Sequence, residues 1–585
     1  MGHRMKEIIV KLDEIDKEKS RLVRRIINSA TAQSSGDHEC LEEMQKELLN
    51  ALSGNKVLLV LDDVWDEKSI GVNSKKWDNL KTILNSGVLR EIGENIVNKC
   101  KGIPLAVTTL GSLLHSKLDP LDWLHVRDDE IWTSGDDNIV LPALKLSYDA
   151  LPRHLKPCFA FCSLFPKDYI FRSTKLVALW MTEDYLNCSG ENQDFKETGL
   201  DYIRQFCSRS LFQVVEDTKS MIRFTMDDLV HDLAISVAQV EYSTVNCRPS
   251  DSFEMVRHVS LTAKDLRGQD KKVPSFMLEL NKVRTILFPH EEETCSNHDV
   301  VKKCILRFKY MRVLNLSWFN FEEMPTSIGK LSHLRYRSLY KNELIRKLPN
   351  SICKLLHLQV LNLAFCKALE ELPKDIGNLS NLRTLSLTTK QMYLPKGIGN
   401  LSSLSVLAFY ACENLKSLGE EIQSLTTLQE LWIDSCEELE SMPRNMKLLT
   451  SLHTLVIISS EKLELVKSGE GTRGLQRFCV WISNLEALPH WLEESAETLQ
   501  NQEICSFFSL KVLPEWLQGS KMLNRLVIKH SPELLALPEG MHQLTALRQV
   551  EIDGCPELSE SFKSQLQEDQ NWSMFARRTK ITLHD

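Results

Sequence analysis

Two adjacent carboxylates carry the most chemically suggestive spacing in the chain. Asp62 and Asp63 close the apolar run Val57-Leu58-Leu59-Val60-Leu61, and Val64-Trp65 follow. Five apolar residues suit a buried parallel strand, and open α/β sheets place ligands at the carboxyl ends of such strands. There one carboxylate can hold Mg²⁺ through water while its neighbour orients a hydrolytic water. A strand that simply ends at a polar turn has the same pattern, and on these residues alone the two readings weigh about evenly. Other sites of conventional catalysis are not evident. His231-Asp232 falls on an amphipathic helix, where a surface or interdomain contact is the stronger reading. His290 opens HEEET, which lacks the second histidine of a zinc helix, and G-x-S-x-G, H-R-D and D-F-G do not occur.

The elements that would position Asp62 and Asp63 are incomplete. A phosphate cradle needs G-x-x-x-x-G-K-[ST], because backbone N–H groups and a lysine must surround the β- and γ-phosphates. The chain has one Gly-Lys pair, Gly329-Lys330, without the upstream glycine or a following hydroxyl residue. A parallel sheet also needs crossover elements and neighbouring strands. One apolar strand with pieces of two helices does not supply them.

Composition narrows the class. The 585 residues are 43% hydrophobic and 26% charged, which excludes a mainly disordered or collagen-like chain. Lys and Arg number 71 against 79 Asp and Glu, a net charge of −8, so nothing overall points to nucleic acid. Sixteen cysteines occur without a CxxC pair, which reads as reduced, buried thiols. No stretch approaches the roughly 18 apolar residues of a membrane span, and the first residues lack a secretory apolar core. The cytosol or nucleus is the expected compartment.

An internal period dominates the second half. YMRVLNL, HLQVLNL, NLRTLSL, TLQELWI, MLNRLVI and ALRQVEI are among eleven aligned segments, whose first apolar positions run from Met311 to Leu547. Ten steps span 236 residues, a mean of 23.6, inside the range of leucine-rich repeats. Two degenerate units at Val256 and Val283 extend the array. Alternation sends Leu361, Leu363, Leu385 and Leu387 into a solenoid core and Asn362 and Ser386 outward. Leu-Pro steps at Pro349, Pro373, Pro395, Pro489, Pro514 and Pro538 halt strand pairing and start the return segment. Cys366, Cys412, Cys436 and Cys555 fall three residues after the strand, where a small buried group fills the turn; packing is favoured over metal binding. Arg337 and Gln502 stand where the second leucine belongs, and local distortion or poor packing is expected there. The outward positions Tyr410, Trp432, Asp434 and Trp481, with Phe365 just past its strand, are expected to line a concave partner-binding face.

Further motifs add context. LVLDDVW (59–65), KCKGIPLAVTTLGSLL (99–114), CFAFCSLFPKDYIF (158–171), LVALWMTEDYL (176–186) and MDDLVHDLAISVA (226–238) follow in order. With the repeats, they resemble the coiled-coil-type nucleotide-binding, leucine-rich-repeat (NB-ARC/LRR) disease resistance proteins of plants. MKEIIVKLDEIDKEKSRL resembles the tail of that class's coiled coil, and QEDQNWSMFARRTKITL its ending after the repeats. The resemblance implies an ADP/ATP switch. Asp62 would hold Mg²⁺ and Asp63 would sit near the γ-phosphate. Gly102, Pro104 and Leu105 would line the adenine side, and Met226-Asp227-Asp228 would face the β-phosphate. The family has histidine where Asp227 stands, and a carboxylate repels a phosphate oxygen that histidine can bond. At most a weak ATPase-type switch is implied, and internal truncation impairs it.

The expected fold is α/β: a leucine-rich-repeat solenoid behind a helical and winged-helix regulatory region and a truncated P-loop-type remnant. Its divisions are a helical coiled-coil remnant (1–50), a truncated nucleotide-binding domain (51–90), a helical subdomain (91–140), a winged-helix-like subdomain (141–245), repeats (246–560) and a tail (561–585). The implied function is an intracellular immune receptor whose repeats bind a pathogen effector or guarded host protein, with self-association through N-terminal helices. The alternatives are an interaction scaffold that binds no nucleotide and a non-functional gene product. The first ~90 residues, which lack a complete core, are predicted to be the least protected part in hydrogen exchange. Protection there equal to that of the repeats would contradict the prediction.

Overall fold

The computed structural model describes residues 87–584, apart from 102, 116, 118, 134–139, 188–193, 219–220, 245–252, 262–276, 278, 290–297, 320, 466–470 and 483–484. Asp62, Asp63, Gly102, His290 and the predictions for the coiled-coil remnant and acidic strand lie outside the described residues. The chain divides into two units, residues 1–156 with 200–234, and residues 157–199 with 235–585.

The first unit is helical, with one hairpin. Helices Gly87–Lys99, Pro104–Leu114, Pro120–Asp128 and Val140–Asp149 share a core. Ile92, Ile96, Ala106, Leu110, Leu113, Val126 and Ala143 meet in it at spacings of three and four, the signature of one apolar helix face. Pro104 opens its helix at the first turn, where a missing N–H costs nothing. Asp119 caps the next helix by accepting from the Leu121 N–H at 2.9 Å. Strands Gln213–Thr218 and Met221–Thr225 pair antiparallel. Phe212 stacks on Phe224 with ring centroids 4.5 Å apart.

The second unit is the solenoid. Among the described residues, fifteen parallel strands form one sheet from Tyr242–Thr244 to Lys580–His584. The sheet therefore starts before residue 246, and the expected tail 561–585 supplies its last strand. Register is one to one: Leu361 pairs Leu385, which pairs Leu407, and Leu363 pairs Leu387, which pairs Phe409. These six side chains are fully buried. Asn362 and Ser386 between them face outward and are half-buried. Each repeat cannot cover its own leucines, and the next repeat covers them.

Each proline of the Leu-Pro steps immediately precedes a short 3₁₀ helix on the return path, such as Asn350–Lys354 after Pro349 and Lys374–Asn378 after Pro373. The strand ends are sharper than the sequence indicated. Trp318, Lys341, Phe365, Ala411, Ser435, Ser459, Ser506, His530 and Gly554 take positive φ and turn the chain out of the sheet. Gly554 needs its freedom: φ is +60°, and a Cβ there would lie 2.7 Å from His530 Nδ1. Cys366, Cys412, Cys436 and Cys555 are buried in these turns, as packing requires, and the Cys366 thiol reaches the Leu339 carbonyl at 3.1 Å. Helices Pro556–Glu568 and Gln570–Arg578 cover the last repeats with Phe562, Trp572 and Phe575.

Arg337 and Gln502 do not break the sheet, contrary to the expected distortion. Both are fully buried in paired strands. The cost appears in polar satisfaction. Gln502 leaves both amide atoms without partners. Arg337 reaches only the Leu314 carbonyl at 3.4 Å and Met324 Sδ at 3.2 Å, and its Nε has no partner. Burial drops its guanidinium to about 9. Replacing a buried, poorly paired charge by an apolar side chain commonly stabilises a protein. Arg337→Leu is predicted to raise unfolding free energy by ~1–3 kcal/mol, measured by denaturant melting; a loss of stability would show that the guanidinium is a net stabilising group.

Candidate functional site

Of the residues the resemblance assigns to nucleotide, Pro104, Leu105, Asp227 and Asp228 are among the described residues and lie in the first unit. Pro104 and Leu105 are half-buried at the start of their helix, and the Thr108 hydroxyl donates to the Pro104 carbonyl at 2.9 Å. Asp227 precedes the helix Asp228–Ala238 and caps it, its Oδ1 accepting from the Leu229 N–H at 2.8 Å. Asp228 is exposed in the first turn, next to the positive end of the helix dipole. The cap gives the carboxylate of Asp227 a structural task at the position assigned to a phosphate contact. No hydrogen bond joins Asp227 or Asp228 to the Pro104 helix among the described residues. His231, expected at a surface or interdomain contact, is buried on its helix. Among the described residues no group of three or more His, Cys, Asp or Glu could hold a metal.

A polar cluster that the sequence did not reveal lies in the second unit. The helix Ser173–Thr182 ends at Glu183-Asp184-Tyr185, against the first strands of the solenoid. Glu183 is buried and accepts from the Thr285 hydroxyl at 2.5 Å. Thr285 in turn takes a bond from His258 Nδ1 at 3.0 Å, and His258 Nε2 lies 3.1 Å from the Tyr185 hydroxyl, which meets the Tyr242 hydroxyl at 3.1 Å. If Thr285 donates to Glu183, His258 is neutral with its proton on Nδ1, and Tyr185 donates to Nε2. Asp184 pairs with Arg312 at 3.0 Å and with Arg335. Phe161 packs its ring edge-on to His258 and Tyr185. Burial raises the Glu183 carboxyl to about 6, moderated by the Thr285 bond and Arg312. Burial lowers His258 to about 3.

The same segment reaches the concave face. Lys196 pairs with Glu430, and the Arg383 guanidinium lies 4.7 Å from the Phe195 ring centroid. Glu430 is buried, accepts from Trp432 Nε1 at 2.9 Å, and is held below its ordinary range by Lys196 and Trp432 against the cost of burial. Of the expected concave residues, Tyr410, Asp434 and Trp481 stand in one row with Ile458 between the last two. Trp481 is exposed, and Trp432 carries the Arg477 guanidinium 5.7 Å from its ring centroid. Tyr410 and Trp432 are half-buried. Phe365 is not on a strand; it occupies a left-handed corner. Past Trp481 the face is a lattice of paired charges: Arg525 bonds Glu503 at 2.7 Å and Glu551 at 3.3 Å, and Lys529 bonds Glu551 at 2.6 Å. The open apolar part is thus narrower than the sequence suggested, centred on Ile458 and Trp481.

Sequence reasoning missed Glu183, His258 and Thr285 because no spacing links them; 102 positions separate Glu183 from Thr285. Their one local signal is Glu-Asp-Tyr directly after an apolar helix, a polar run that most helices show at their ends.

Three family models match the chain: NB-ARC domain at residues 8–93, Disease resistance protein Winged helix domain at 164–234, and Leucine-rich repeat region at 293–505. Disease resistance protein RGA2 of Solanum bulbocastanum is 30% identical over 371 residues, covering 54% of this chain and 34% of that protein. Disease resistance RPP8-like protein 3 of Arabidopsis thaliana is 26% identical over 360 residues, covering 51% and 39%. The chain thus spans well under half the length of these relatives. Among solved structures, the leucine-rich-repeat protein LIC12759 of Leptospira interrogans aligns over 56% of this chain and 96% of its own, at 21% identity and a TM-score of 0.33.

The buried pair makes a signed prediction. Between pH 6.5 and 4.5 the unfolded chain gains a proton at histidine that folded His258 refuses, which costs stability on acidification. Between pH 6 and 4.5 folded Glu183 gains a proton that the unfolded chain does not, which opposes that loss. Glu183→Gln should therefore steepen the fall in stability from pH 6.5 to 4.5, by roughly 1.4 kcal/mol per pH unit for one uncompensated proton. His258→Gln should reverse the slope. Superimposable pH profiles of thermal melting for both variants and the parent would contradict the cluster.

Proposed function

The chain carries the NB-ARC, winged-helix and leucine-rich-repeat modules of plant disease resistance proteins, and from that order we propose an immune receptor whose repeats do the recognising. The supporting observation is the presence of the resistance-protein winged helix ahead of the repeats, a module that a bare scaffold does not need. Partner binding is placed on the concave face around Ile458 and Trp481, next to the Arg477–Trp432 stack. The partner is a pathogen effector or a host protein it attacks, met in the cytosol or nucleus; no helix of the described residues is long and apolar enough to cross a membrane.

Nucleotide is the weaker half of the inheritance. Asp62 would hold Mg²⁺ with ADP or ATP, Asp63 would sit near the γ-phosphate, and Gly102, Pro104 and Leu105 would bound the adenine. The sequence lacks the glycine-lysine loop that cradles phosphates, and Asp227 caps a helix with the carboxylate that would have to face one. The residues present do not fit a complete nucleotide site, so the switch is read as impaired.

Two measurements test this reading. Native full-length protein, denatured after purification, should release far less than one ADP per chain; stoichiometric ADP would overturn the impaired switch. Expressed in leaf tissue with a collection of pathogen effectors, the chain should alter cell death with at least one of them, and Trp481→Ala with Ile458→Glu should abolish that effect. A phenotype indifferent to every effector and to both substitutions would refute recognition through this face.

A further inference from the structure

The corners that end the strands are not uniform. Later ones carry Ala411, Ser435, Ser459, Ser506 and Gly554, with His530 the large exception. The first three described carry Trp318, Lys341 and Phe365, at φ of 68°, 55° and 59°. The left-handed cost comes from the Cβ and is shared by alanine and serine, so what sets these three corners apart is the large side chain each one presents. They form a contiguous strip. Lys341 Nζ lies 4.1 Å from the Trp318 ring centroid, and the Tyr340 ring bridges Trp318 at 6.2 Å and Phe365 at 5.6 Å.

Charge divides the solenoid in the same place. Residues 301–400 hold 17 Lys and Arg against 6 Asp and Glu, whereas residues 401–500 hold 7 against 15. Lys367, two residues past Phe365, and Lys390 in the next repeat are exposed, and neither they nor Lys341 is ion-paired among the described residues.

We propose that this corner strip docks an acidic protein segment bearing leucine or aromatic side chains. Its rings take the apolar side chains, and Lys341, Lys367 and Lys390 take the carboxylates. A single nucleic-acid strand would use parallel ring faces as stacking platforms. Here the Trp318–Tyr340 and Tyr340–Phe365 pairs meet at 68° and 84° and present edges to one another, and only Phe365 and Tyr410, at 30°, approach parallel, which favours a peptide. The strip ends where Phe365 meets Tyr410, ring centroids 5.6 Å apart, three strands before Trp481 in the row that Tyr410 begins. The proposal shares with the immune reading only the premise that the repeats bind protein, and it stands for a scaffold without immune function.

The test uses full-length protein and fluorescence anisotropy with three labelled probes: a peptide alternating Glu with Leu and Phe, its Lys counterpart, and oligo-thymidine. The acidic peptide should bind, weaken with salt, and lose about tenfold in affinity on K341E with K367E. Phe365→Ser, which installs the residue of later corners, should weaken binding with the circular dichroism spectrum intact, and Lys511→Glu in a later repeat should leave it unchanged. Absence of acidic-peptide binding, equal binding of the Lys peptide, preference for oligo-thymidine, or undiminished binding by the double variant would each overturn the proposal.

Discussion

Everything in the second unit depends on one constraint: a strand of this solenoid has leucines that only the next strand can cover. Leu361, Leu385 and Leu407 are buried by one another's repeats, not by their own. Burying a leucine side chain contributes roughly 1.5–3 kcal/mol, so each repeat gains most of its stability from stacking. The ends of such a stack would expose a leucine layer. The C-terminal end is closed by Phe562, Trp572 and Phe575 from two helices, followed by a final strand. At the other end the short strand Tyr242–Thr244 begins the sheet, and the Glu183–His258–Tyr185 cluster packs there.

That arrangement changes what the winged-helix segment is. Residues 157–199 cluster with the repeats, while residues 200–234 cluster with the helices before them. The expected boundary at residue 245 follows the sequence motifs; the packing boundary does not. Glu183, Asp184 and Lys196 tie the segment to strands far away in sequence, and a buried carboxylate is tolerable only because Thr285 and nearby arginines compensate it. The Lys196–Glu430 and Arg383–Phe195 contacts cover part of the concave face.

How much was legible follows from which contacts are local. The alternation of leucines, the Leu-Pro steps and the turn cysteines repeat at a fixed period, so their burial could be read directly. Phe365 could not, because strand periodicity does not announce where φ becomes positive. Arg337 and Gln502 were legible as violations, yet their outcome was not: the flanking repeats hold the strand and leave the polar groups under-satisfied. Asp227 and Asp228 matched a motif, but in the fold Asp227 caps the helix Asp228–Ala238. The Glu183 cluster has no sequence signal beyond the polar run after its helix, since it assembles from four segments that meet only in the fold.

Residues 157–187 belong to the solenoid body as its built-in first layer. Native-state hydrogen exchange on the full chain tests it most directly. Amides of the helix Ser173–Thr182 should open with the same free energy as the strands His258–Ser260 and Thr285–Leu287, and Glu183→Ala should lower protection in all three together. Fast exchange of that helix while those strands stay protected, or a Glu183→Ala effect confined to the helix, would contradict it.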